Sequence, residues 1–159
     1  MTFKTADLCD EHEARVQICE SGFSSFGGRA RFSGRISTIK CFEDNSLVRE
    51  AVAEAGDGRV LVVDAGGSLR CAMLGDLLAA KAVANGWSGV LMNGLIRDSV
   101  DIAQMDLGVQ ALGTHPLKSV KKGVGERDIT VRFAGVRFVP GEYLYADEDG
   151  IICSAVALL

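Results

Sequence analysis

No apolar run in this chain approaches the roughly 20 residues that a membrane-spanning helix needs, so no bilayer span is expected. The opening MTFKTADLCDEHEARV turns polar within a few residues, unlike a secretory signal, and a cytoplasmic protein is expected. A basic excess is missing too: the net charge is -4, which gives no field for the nucleic-acid backbone and argues against direct RNA or DNA binding. Cys9, Cys19, Cys41, Cys71 and Cys153 are odd in number and scattered, with no C-x-x-C pair and no Cys/His cluster of zinc spacing. They read as reduced thiols, mostly buried as small hydrophobes. Proline is confined to Pro116 and Pro140, and no internal repeat or low-complexity tract is visible.

What is present is ordinary globular material, 48% apolar and 24% charged, in 159 residues. That length fits one domain, 1–159, with a full hydrophobic core. TADLCDEH predicts a short helix with Thr5 as its cap, and SGFSSFGGRARFSG predicts a loop. GRISTIKCF alternates like a strand. EDNSLVREAVAEAGDG predicts a helix capped by Asp44, Asn45 or Ser46, with Gly56 in a left-handed terminal position.

RVLVVDAGG carries a continuous apolar run typical of a parallel strand covered on both faces. LGDLLAAKAVANGW places Leu74, Leu77, Leu78 and Ala82 at helical spacing and stops at Asn85-Gly86, and SGVLMNG is a second buried strand. This is a βαβ unit, whose strands should be parallel with a right-handed crossover. After His115-Pro116, short strands alternate with Ala-Gly, Pro-Gly and Glu-Asp-Gly turns, so the fold class is α/β with antiparallel C-terminal strands.

In open parallel sheets, ligands bind where strand ends lead into helices. Two such loops, DAGGSLRCAMLGDLL and GLIRD, should share one sheet edge. The helix starting near Gly75 aims free backbone N–H groups and its positive dipole end at that edge, a cradle for carboxylate or phosphate. Arg97 can fork onto an oxyanion, and Asp98 can give one oxygen to a hard divalent cation. Asp76, in the first helical turn, can hydrogen-bond that ion's waters. Plain structural roles also fit: an Arg97–Asp98 loop pair, Asp98 capping the helix of SVDIAQ, Asp76 complementing its helix dipole. G-x-G-x-x-G is absent, which leaves little support for a methyltransferase or dehydrogenase. An aldolase lysine forming a Schiff base would need an apolar pocket. Lys81 lies well along a helix, Lys118, Lys121 and Lys122 crowd a polar loop, and Lys40 is far from Arg97 in sequence.

CFEDNSLVREAV, GRVLVVDAGGSLR, GVQAL and GEYLYADEDGIICS together resemble the RraA family, the regulator of ribonuclease activity A and its relatives. That family includes class II aldolases for 4-hydroxy-4-methyl-2-oxoglutarate, whose signature is an acidic residue, an intervening stretch and Arg-Asp. Here Asp76 and Arg97-Asp98 flank twenty residues. The resemblance implies a β/β/α arrangement like the swivelling phosphohistidine domain, in homotrimers or dimers of trimers with the site near a subunit boundary. It implies substrate carboxylate at the backbone of Gly75, Asp76, Leu77 and Leu78, substrate contact by Arg97, and Mg²⁺ or Mn²⁺ on Asp98. A neighbouring subunit would add an acidic residue that cannot be placed from this sequence; Asp147, Glu148 and Asp149 of ADEDG could face a neighbour's site. The implied activity is aldol cleavage to two pyruvates, with catalytic roles for Arg97 and Asp76, and oxaloacetate decarboxylation through the same enolate as a side activity. The alternative it implies is a regulator that binds and inhibits RNase E without metal chemistry. His115 reads as structural.

Overall fold

The computed structural model describes residues 2–159. In chain order its helices are α1 (Thr5–His12), α2 (Ser46–Val52), α3 (Asp76–Ala84) and α4 (Ser99–Ile102). Its strands are β1 (Val16–Ile18), β2 (Ser24–Ser25), β3 (Phe32–Lys40), β4 (Val60–Asp64), β5 (Gly89–Ile96), β6 (Gly108–Thr114), β7 (Glu126–Arg127), β8 (Val131–Phe133), β9 (Val136–Phe138), β10 (Tyr143–Ala146) and β11 (Ile151–Ser154).

The main sheet runs β1-β11-β10-β3-β4-β5-β6-β2, with β7 also on β3. β3, β4, β5 and β6 are parallel, while β10, β11 and β1 continue the sheet antiparallel. Alternate side chains of β4 face opposite ways because the strand period is two. Leu61 and Val63 pack with Val48, Ala51, Ala79 and Ile102 of the helices. Val60 and Val62 pack with Val131, Val136 and Phe138 of the β8–β9 hairpin and with Leu144 and Ile151. The layers are therefore helices, sheet and hairpin, and the β/β/α α/β fold expected from the resemblance is the one observed. None of the helices among the described residues is long and apolar enough to cross a membrane.

Several local expectations are corrected. Thr5 is the first residue of α1, not its cap; its hydroxyl donates to Asp147 Oδ1 at 2.6 Å and its N–H to Oδ2 at 2.7 Å. A buried carboxylate 142 residues away thus caps the helix. SGFSSFGGRARFSG is not all loop, since Ser24–Ser25 pair with β6 and Phe32 already belongs to β3. Gly56 is not left-handed; Asp57 and Gly58 are, and a Cβ on Gly56 would lie 2.6 Å from the Trp87 backbone. Leu74 precedes α3 and Leu77 is 76% exposed; the helix buries Ala82, as read, and Ala79 in place of Leu77. The stop at Asn85-Gly86 is as read: Gly86 has φ +79. β5 does not end at Gly94 but runs on to Ile96 across a register shift between Met92 and Leu95. All five cysteines are free thiols.

Candidate active site

The loop after β4 is turned by Asp64, whose Oδ1 accepts Gly66 N–H and Asn93 Nδ2–H, both at 3.0 Å. Further along, Met73 N–H donates to Leu95 O at 2.8 Å and Arg97 N–H to Leu74 O at 2.9 Å. Residues 72–74 thereby run beside the end of β5, with Ala72 bridging both Leu95 and Lys118. Glu43 ties the middle of the loop down. It accepts Ser68 Oγ–H, Arg70 Nε–H and Arg70 Nη2–H at 2.6 Å each, and these bonds from Arg70 and Ser68 hold its carboxyl below the usual range.

This layout brings Gly75, Asp76, Arg97 and Asp98 together. Gly75 is the N-cap of α3 and has no side chain to cap with. Asp98 fills that role from the other loop, its Oδ2 accepting Asp76 N–H at 2.9 Å. A Cβ on Gly75 would sit 2.9 Å from Asp98 Oδ2 and 3.4 Å from Arg97 Nε, so glycine is what lets the helix tip approach both groups. Asp98 occupies the N-cap position of α4 in left-handed backbone (φ 56, ψ 40) and makes no side-chain bond to its own helix. A non-glycine residue there costs about 1 kcal/mol or more, a cost met at sites where a side chain must be aimed. No ion pair joins Arg97 to Asp98 among the described residues. Of the four backbone donors assigned to a substrate carboxylate, Asp76 N–H is held by Asp98 and Leu77 N–H by Asp76 Oδ1 at 2.8 Å.

Beside this tip opens a cleft of about 340 Å³. Arg49, Lys81, Arg97, Lys118 and Lys121 line it together with Asn45, and no carboxylate does. Leu74, Leu77 and Leu78 supply apolar wall. Only Arg97 and the helix-tip residues were singled out from sequence. Lys81, set aside as too far along its helix, reaches the cleft, as do Lys118 and Lys121. The signal for the latter pair was the lysine-rich loop; what was invisible was its anchorage. Asp44 supplies that anchorage. Its carboxylate accepts Ser46 N–H (2.9 Å), Ser46 Oγ–H (2.6 Å), Lys122 N–H (2.9 Å) and Val124 N–H (3.1 Å). Burial works to raise its pKa, but these bonds outweigh it and hold the group at about 2. All three lysines are exposed, which is not the desolvated setting a Schiff-base lysine needs.

ADEDG lies elsewhere. Asp147 is buried beneath α1 and, with Glu148 and Asp149, lines a separate cavity of about 150 Å³ shared with Glu20 and Gln110. His115 Nδ1 accepts Leu117 N–H at 3.1 Å, a turn bond. No group of three or more His, Cys, Asp or Glu among the described residues could hold a metal unaided. Asp98 with neighbouring Asp76 nonetheless suits a hard cation such as Mg²⁺, which takes one or two protein carboxylates, keeps waters and chelates its substrate. The missing Cβ of Gly75 leaves Asp98 Oδ2 uncrowded on that side.

A family model described as RraA-like, Aldolase/RraA, matches residues 5–153. A relative from Laribacter hongkongensis, provisionally named a 4-hydroxy-4-methyl-2-oxoglutarate aldolase, is 62% identical over 100% of both chains. Among solved structures, one from Geobacillus kaustophilus named as S-adenosylmethionine:2-dimethylmenaquinone methyltransferase matches with TM-score 0.96 and 51% identity, over 98% of this chain and 97% of that one. The RNA-processing inhibitor RraA from Thermus thermophilis matches with TM-score 0.94 and 45% identity, over 98% and 94%.

Proposed function

The chain belongs to the RraA-like, Aldolase/RraA family, and from that membership we propose that it cleaves 4-hydroxy-4-methyl-2-oxoglutarate to two pyruvates with a divalent cation, Mg²⁺ or Mn²⁺. The observation that carries the reading is the 2.9 Å bond from Asp76 N–H to Asp98 Oδ2. It gathers an oxyanion-binding helix tip, a carboxylate and Arg97 at the mouth of a cationic cleft. A dianionic 2-oxo acid matches such a lining, and the highly similar relatives carry the same aldolase name.

In the cleavage the C3–C4 bond breaks, its electron pair passes to C3 as a pyruvate enolate, and the C4 hydroxyl loses its proton as C4 becomes a carbonyl. Asp98, with Asp76 beside it, would hold the cation, which when bound supplies Lewis-acid withdrawal of charge from the keto group. Once the Asp98 carboxylate turns to that duty, the N–H of Asp76 is free for the substrate carboxylate, next to those of Gly75 and Leu78. Arg97 directs fixed positive charge at the developing enolate, a contribution of roughly 3 kcal/mol for one such donor. Asp76 holds a water in place to take the hydroxyl proton and return it to C3. Oxaloacetate forms the same enolate by losing CO₂ and needs no such base, so its decarboxylation is the expected side activity. The methyltransferase name of one solved relative finds no counterpart, since the glycine turn Gly66-Gly67 is not part of a G-x-G-x-x-G motif.

We read the assembly as a homotrimer or dimer of trimers, which would cover exposed Phe42, Leu69, Leu77, Val100 and Leu117 around this edge. A second reading, binding to RNase E, is favoured by the 45% identity to the solved RNA-processing inhibitor and requires no metal. Purified chain with Mg²⁺ should release pyruvate from the substrate and lose this with chelator. A chain that releases none, yet retains RNase E in chelator, would reverse the order of the two readings.

A further inference from the structure

The cleft has two unlike ends. Gly75 and Arg97 line one of them and flank Asp98, whose Oδ2 would lie 2.9 Å from a Cβ on Gly75. That end takes the 2-oxo acid head and its cation in the reaction proposed above. The other end is set by two helices. Asn45, the N-cap of α2, donates from Nδ2 to Met73 O at 3.3 Å, just ahead of α3. Asn85, the C-cap of α3, donates from Nδ2 to O of Val52, the last residue of α2, at 2.8 Å. The helices therefore lie side by side and run the same way, as successive right-handed crossovers on a parallel sheet require. On that alignment Arg49, halfway along α2, is level with Lys81, just past the middle of α3. Both line the cleft, both are exposed, and neither joins an ion pair among the described residues. Neighbouring cations in a cleft without carboxylates repel each other until an anion comes between them.

We propose that Arg49 and Lys81 form the subsite for the second carboxylate of the substrate, so that the cleft selects 2-oxo diacids over 2-oxo acids with an uncharged end. This rests on the reaction proposed above and assigns residues to the part of the substrate that the cation does not hold. The lengths agree. Lys81 is six residues beyond Gly75, about 9 Å along the α3 axis, and helical side chains slant back toward the N-terminus. The carboxyl carbons of a five-carbon diacid are roughly 5 Å apart at ordinary bond lengths, and hydrogen bonds of about 3 Å at each end complete the span. Between the two ends, Leu77 and Leu78 of α3 give the cleft an apolar wall. Helix tip, apolar wall and cationic pair thus follow the order of the ligand: carboxylate, hydrocarbon, carboxylate. Arg49, whose guanidinium forks onto carboxylates, carries the larger share. The second carboxylate keeps its charge while the C3–C4 bond breaks, so the contact is made equally before and during reaction and acts on KM, not on kcat.

The test uses ligands of equal length that share the 2-oxo acid head and differ only at the far end, with Mg²⁺ present throughout. By calorimetry, wild type should bind 2-oxoglutarate about 50-fold tighter than 2-oxopentanoate. Arg49→Met should weaken 2-oxoglutarate about tenfold, and adding Lys81→Met should shrink the preference to within about threefold. Affinity for 2-oxopentanoate should stay within about twofold in both variants. In turnover, Arg49→Met should raise KM for 4-hydroxy-4-methyl-2-oxoglutarate about tenfold and leave kcat within about threefold. Equal losses for the two 2-oxo acids would make the pair a structural feature and overturn the inference. So would equal affinity of wild type for both acids, a readout that needs no variant. A chain that cleaves nothing but prefers the diacid through Arg49 and Lys81 overturns the reaction and leaves the subsite standing. A chain that cleaves, with its preference intact in the double variant, overturns the subsite alone.

Discussion

The carboxylate of Asp98 caps the helix that begins at Asp76, although twenty-one residues separate the two and Asp98 itself stands at the start of a different helix. Sequence-local capping would have used Gly75, which has no side chain. This carboxylate caps α3 and, in the proposed reaction, would hold the cation, and the two uses separate under mutation.

Asp98→Asn keeps an oxygen for Asp76 N–H and tolerates left-handed backbone, but it removes the charge that a hard cation requires. Thermal unfolding should match wild type within about 0.5 kcal/mol, with pyruvate release down at least ~100-fold. Asp98→Ala should lose the same activity and about 1 kcal/mol of stability besides. Full activity in Asp98→Asn would remove the cation from the proposal.

Arg97→Lys keeps the charge but loses the planar fork. Cleavage and oxaloacetate decarboxylation share an enolate, so kcat for both should fall together by about 100-fold. A fall in one alone, measured in parallel coupled assays, would mean that Arg97 serves something other than that common intermediate.

Three lysines line the cleft, and their role is expected to be electrostatic. Borohydride added during turnover should leave the protein mass unchanged, because no imine forms. Lys81→Met, Lys118→Met and Lys121→Met should each lower kcat/KM by less than about tenfold, with a flatter salt dependence than wild type. A reduced adduct in the mass spectrum would replace the metal route with a covalent one.

Much of this site was legible because its cause is topological. The apolar run Val60–Val63 could only be a strand buried on both faces, and the right-handed crossover then carries both following loops to one edge. That reasoning brings Asp76 near Arg97 and Asp98 without knowledge of any distance. It could not foresee that Asp98 would adopt φ 56 or cap a helix in another loop. Helical spacing counted Leu77 with Ala82 toward the core; α3 buries Ala82 and Ala79, whose small side chains permit close packing on the sheet, and leaves Leu77 exposed. Asn45, Lys118 and Lys121 were missed for a different reason. They meet the cleft through long-range bonds, Asp44 to Lys122 and Val124 and Ala72 to Leu117, that leave no local periodicity.

Those same bonds make the cleft wall sensitive to acid. Asp44 is buried, and its four hydrogen bonds, acting against burial, depress its pKa to about 2 from the 3.8 of an unperturbed group. A depressed carboxylate stabilises the fold fully above its unfolded pKa, and that contribution is lost as pH falls through the folded one. Between about pH 4 and pH 2 the wild-type chain should therefore lose the stability that Asp44 provides, whereas Asp44→Asn, less stable at pH 7, should lose less over that window. Because Asp44 holds residues 122–124, the variant should also raise KM at pH 7 by displacing Lys121 and Lys118 from the cleft. Urea unfolding at stepped pH, with KM measured in parallel, checks both halves. An unchanged acid slope in Asp44→Asn would show that the carboxylate is not the group that titrates, and an unchanged KM would free the lysine loop from its dependence on this anchor.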